Sequence, residues 1–66
     1  MTPVQHKIVE IIRDYVGAPS SKEILRTLKE THKAATLHGL QVELSDLSMH
    51  GVVRRSKRGL YRLEFS

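Results

Sequence analysis

Leu40-Gln41-Val42-Glu43-Leu44-Ser45-Asp46-Leu47-Ser48-Met49-His50-Gly51-Val52-Val53-Arg54-Arg55 carries two hydrophobic periods, one on each side of a single glycine. Before Gly51, Leu40, Leu44 and Leu47 recur at intervals of four and three, with Leu37 extending the row upstream. That spacing lines one face of an α-helix. After Gly51 the period becomes two: Val53, then Arg54-Arg55-Ser56, a turn at Lys57-Arg58-Gly59, and a run from Leu60 in which Tyr61, Leu63 and Phe65 alternate with Arg62 and Glu64. This is the pattern of a β-hairpin with one apolar face. A hairpin alone is marginal in water, so that face has to lie on helices.

Thr36 has the side chain of an N-cap for this helix, and Gly51 suits the left-handed residue that ends it. Gly39, inside the first turns, costs about 1 kcal/mol relative to alanine. Further upstream, Val4, Ile8, Ile11, Ile12, Tyr15 and Val16 predict a first helix over residues 3–16, with Pro3 in its first turn and Ile8, Ile12 and Tyr15 in the core. Gly17 stops it, and Gly17-Ala18-Pro19 forces a short extended passage. Ser20-Ser21-Lys22-Glu23 has the spacing of a capping box, which starts a second helix. Ile24, Leu25 and Leu28 face the core from it, Lys22, Arg26, Lys29 and Glu30 form its wet face, and it frays near residues 31–33.

The chain of 66 residues is read as one domain. A domain this small buries only about 60% of its unfolded surface. With 39% hydrophobic residues it has no material for a deep pocket walled by several elements, so the expectation is a binding domain and not an enzyme, with no catalytic residue and no cofactor. The sequence has no cysteine, which excludes a disulfide staple or thiolate zinc site and fits an intracellular location, cytoplasmic or at the nucleoid or nucleus. No apolar run approaches the roughly 18 residues of a membrane span, and no membrane partner is expected.

Net charge is +4, and its placement says more than its size. Residues 1–53 hold six basic and six acidic side chains, whereas Arg54, Arg55, Lys57, Arg58 and Arg62 face only Glu64 in the last thirteen. Clustered cations suit a polyanion, because each neutralised phosphate releases condensed counterions. The structural alternative is a hairpin that is simply well solvated.

Three helices followed by a basic hairpin resemble the winged-helix family. The strongest local likeness is Leu40-x3-Leu44-x2-Leu47-x3-Gly51-Val52-Val53-Arg54-Arg55, which is similar to the end of that family's recognition helix running into its first wing strand. The resemblance spans nearly the whole chain and implies an α+β fold, a three-helix winged helix-turn-helix with a C-terminal β-hairpin wing. It also implies duplex DNA as partner, for a small transcription regulator or the DNA-docking module of a replication or recombination protein. The third helix would then enter the major groove with Thr36, His38 and Gln41, joined by Ser45. Arg54, Arg55, Lys57, Arg58 and Arg62 would hold the flanking backbone or minor groove, and Lys33 a phosphate near the helix's amide-rich end. Five or six such contacts would give a log-log salt slope of about minus four to five.

This chain departs from a cationic reading helix. Residues 36–48 contain no Lys or Arg, and Glu43 and Asp46 give them a charge of minus two. Leu37 and Val42, expected to be exposed at base-reading positions, are apolar and fit either thymine methyl groups or another protein. The second functional class is therefore a protein-interaction domain, either a homodimer or a docking module, using Leu37, Val42 and Met49.

Other constellations carry less. His6, His32, His38 and His50 include no pair three or four apart on one helix, so no metal site is expected. His50 suits a helix C-terminus, and His38 a hydrogen bond or phosphate contact. Glu43 and Asp46, three apart, have the spacing of a solvated carboxylate face. Tyr61 and Phe65 alternate with charged residues, which assigns them to the core and not to a base-stacking platform.

Overall fold

The computed structural model describes residues 1–64, so the reading of Phe65 lies outside it. Three helices, α1 (Pro3–Asp14), α2 (Ser21–Leu28) and α3 (Leu37–Met49), precede strands β1 (Val53–Arg55) and β2 (Tyr61–Leu63). The strands pair antiparallel, with Val53 opposite Leu63, Arg54 opposite Arg62 and Arg55 opposite Tyr61. This is an α+β arrangement of three helices and a hairpin, consistent with a winged helix.

Local chemistry sets most of the boundaries. Ser20 caps α2 as its spacing predicts: its hydroxyl accepts from Glu23 N–H, and the Glu23 carboxylate accepts from Ser20 N–H. Thr36 caps α3 by accepting from Gly39 N–H at 3.1 Å. At the other end, Gly51 N–H donates to Ser48 C=O and Val52 N–H to Leu47 C=O, the paired bonds of a Schellman motif. Gly51 sits at φ +72°, so the reversal from helix to strand needs a residue without a β-carbon. His50 also serves this end, its Nδ1 lying 2.8 Å from the Asp46 carbonyl. In α1 a second capping box, Thr2 with Gln5, was not read from the sequence.

The core joins Ile8, Ile11 and Ile12 of α1, Ile24 and Leu28 of α2, Leu40, Leu44 and Leu47 of α3, and Val53 and Tyr61 of the hairpin. Three expectations fail at the end of α1. The helix stops at Asp14 and not at residue 16, because Tyr15 already has extended geometry. Val16, counted in the apolar stripe, is 96% exposed. Tyr15 is half-buried instead of in the core, and its hydroxyl donates to the Glu23 carboxylate. The helix α2 likewise ends at Leu28, before the predicted frayed stretch.

The passage from α1 to α2 does more than connect them. Pro19 is fully buried, its carbonyl accepts from Tyr61 N–H at 2.8 Å, and Ser20 bridges to Leu60. The extended chain before α2 therefore lies along β2 and places the start of α2 beside the wing.

Candidate nucleic-acid interface

The register of β1 against β2 divides the wing's cations. Cross-strand partners share a face, so Arg55 lies on the same face as buried Tyr61, and Arg54 and Arg62 lie on the other. Arg54 is already paired, its Nη2 donating to Glu64 Oε1 at 2.9 Å. Arg62 lines a shallow recess with Ile12, Arg13, Tyr15 and Gly17, at the C-terminal end of α1. The five basic residues are thus not one patch.

Arg55 turns toward the helices. It lines an open cleft with Arg58 of the hairpin turn, Gln41 of α3 and Lys22 of α2, above Ser20, Ser21 and Tyr61. Among the described residues three cations and no carboxylate line it. The turn is tightly closed: Ser56 N–H donates to Leu60 C=O, Gly59 N–H to Ser56 C=O, and Gly59 is left-handed at φ +78°. The Arg55 guanidinium lies over this glycine, with Nη2 3.6 Å from where a β-carbon would stand. Glu23, the acidic residue of the first turn of α2, is not on the cleft. Hydrogen bonds from the Ser20 backbone, then from Tyr15, hold its carboxyl below the usual carboxylate range.

The outward face of α3 is the second part of the site. His38, Gln41, Val42, Ser45, Ser48 and Met49 are exposed along it. The two carboxylates form the expected solvated face only in part, Asp46 being half-exposed and Glu43 half-buried, and both are tied to α1. Gln5 of α1, only 6% exposed, donates through Nε2 to Glu43 Oε1 at 2.9 Å and Asp46 Oδ2 at 2.8 Å. Its Oε1 accepts from Thr2 N–H. This clamp between α1 and α3 holds both acids on the flank of α3 away from the cleft, where half-exposed Asp46 borders the stripe beside Val42 and Met49. Leu37 departs from its expected exposure: it is half-buried, and at about 100° per residue it lies roughly 140° around the helix from Val42. Val42 and Met49, seven residues apart, remain on one line and are 55% and 83% exposed.

Of the residues singled out in the sequence, Gln41, Arg55 and Arg58 come together. Lys57 sits on the same turn, and His38 shares the α3 face. Lys33 and Thr36 border a separate, mostly apolar recess at the start of α3, with Val4, Leu28 and Ala35. Lys22 and the Ser20-Ser21 pair were missed. Their only sequence signal was the capping box, which says where a helix starts and not what it starts beside.

Among the described residues no group of three or more His, Asp or Glu side chains could hold a metal ion. Among the same residues no helix is long and apolar enough to cross a membrane. No family model, no curated protein and no solved structure matches the chain.

Proposed function

We propose that this chain is a winged-helix domain that binds duplex DNA, with the outward face of α3 in the major groove and the cleft cations Lys22, Arg55 and Arg58 on the adjoining phosphates. The observation that carries the reading is the cleft itself: side chains from α2 and the wing, far apart in sequence, converge beside Gln41, and among the described residues no carboxylate joins them in its lining. Pinning Glu43 and Asp46 to Gln5 eases the electrostatic objection to α3, because both acids are drawn toward the α1 flank and only half-exposed Asp46 leaves a negative charge at the edge of the face offered to the polyanion. Arg54, paired with Glu64, and Arg62, beside α1, contribute less than the sequence alone suggests. A role as a small regulator or as the docking module of a replication or recombination protein fits this surface equally.

The test is titration of a fluorescent random-sequence duplex at roughly 50 and 200 mM salt. With about four phosphate contacts, from the three cleft cations and Lys57, affinity should fall roughly a hundredfold between them. No binding at either salt would overturn the proposal. The exposed line of Val42 and Met49 favours a second reading, a protein-docking or dimer face. Self-association that Val42→Asp abolishes while duplex binding survives would assign α3 to that role.

A further inference from the structure

We infer that Gln41 and Val42 make α3 a reader of A·T base pairs, and that Val42 selects thymine, and so DNA over RNA, by packing on the thymine 5-methyl group. This rests on the proposed duplex binding and goes beyond it by naming the base pair and the atom recognised.

The choice follows from what the exposed stripe contains and lacks. The commonest specific contact to a guanine is a bidentate Arg or Lys on its O6 and N7. Residues 37–49 contain neither, and the nearby cations Arg55, Arg58 and Lys22 approach from the cleft flank. Gln41 is exposed, with no side-chain partner among the described hydrogen bonds, and its amide matches the N6 and N7 edge of adenine. Cytosine is read by a carboxylate accepting from its N4, and the two carboxylates of α3 lie toward its α1 flank, each with one oxygen bonded to Gln5. Val42, adjacent to Gln41 and 55% exposed, offers only methyl groups. In the major groove the base-edge group it can bury is the methyl of thymine. Uracil lacks that methyl, and the A-form major groove of RNA is too deep and narrow for side chains to read.

The experiment compares three duplexes of equal length, one of A·T pairs, one with uracil replacing every thymine, and one of G·C pairs, titrated with the wild type and with Val42→Ala. Alanine is the better helix former at this half-exposed position, so the variant retains α3. The wild type should bind the thymine duplex about fourfold more tightly than the uracil duplex for each methyl covered, and both more tightly than the G·C duplex. Val42→Ala, which keeps one of the three side-chain carbons, should narrow the thymine-over-uracil ratio while keeping the preference over G·C. Equal wild-type binding to thymine and uracil duplexes overturns the inference and leaves DNA binding standing. A thymine preference undiminished in Val42→Ala overturns the assignment to this side chain. Binding to none of the three at low salt overturns the proposed function itself.

Discussion

Gln5 is the residue on which the electrostatics of α3 turn. A buried amide that donates one hydrogen to each of two carboxylates stabilises the α1–α3 contact and spaces like charges that would otherwise face each other. Hydrogen bonds to charged groups contribute about 1.5–3 kcal/mol, and the half-exposed Asp46 lowers that by solvent screening. Gln5→Ala should therefore cost about 1–2 kcal/mol in denaturant unfolding. Gln5→Glu should be worse at neutral pH, because it brings a third carboxylate to the pair. Crowding raises folded-state carboxyl pKa values, so the variant's deficit should shrink as pH falls through the carboxylate range. A deficit that does not depend on pH would mean that lost packing, not charge, is responsible. The same residue marks a limit of sequence reading. Gln5 lies in an otherwise ordinary helical stretch, and its partners are 38 and 41 residues away.

Elements here are bounded by local signals that the sequence displays openly. Ser20-x2-Glu23, Thr36 and Gly51 all fall where their residue types predict, because caps depend on hydrogen bonds and backbone angles spanning a few residues. Gly39 shows how two such signals compete. Replacing it with alanine should gain about 1 kcal/mol of helix propensity, but the new β-carbon would stand 3.2 Å from Thr36 Oγ1, the atom that caps α3. In the wild type, Gly39→Ala should therefore change stability by less than about 0.5 kcal/mol, as the strained cap offsets the propensity gain. In a Thr36→Ala background, where no cap remains to disturb, the same change should stabilise by about 1 kcal/mol. Thermal unfolding of the four proteins of this cycle measures the coupling; strict additivity would show that the cap and the glycine are independent. The early end of α1 has the opposite character. Tyr15 and Val16 continue an apolar helical pattern, yet the chain leaves the helix so that Pro19 can dock on β2.

At the scale of the whole molecule, the hairpin's charge is divided by its register and re-collected with a lysine from α2. Two double variants test this grouping, since Arg55→Gln with Arg58→Gln and Arg54→Gln with Arg62→Gln each remove two formal charges. If only net charge mattered, both would weaken duplex binding alike. With phosphates held at the cleft, the first pair should reduce the magnitude of the log-log salt slope by about two and the second by much less. Equal losses would return the wing to the undivided patch that its sequence suggests.

What the sequence determined by itself is the order and kind of elements: three helices and a hairpin, the caps of α2 and α3, the apolar faces of those two helices, and a basic C-terminal end. Periodicity and capping are local, so 3.6- and two-residue repeats and a few polar side chains are enough to specify them. Tertiary structure alone decided which faces meet. It buried Gln5 against Glu43 and Asp46, half-covered Leu37, paired Arg54 with Glu64, and set Lys22 beside Arg55, Arg58 and Gln41. These outcomes depend on how a buried proline and a two-stranded register orient whole elements, and contacts between residues dozens of positions apart leave no period in the chain for a reader to find.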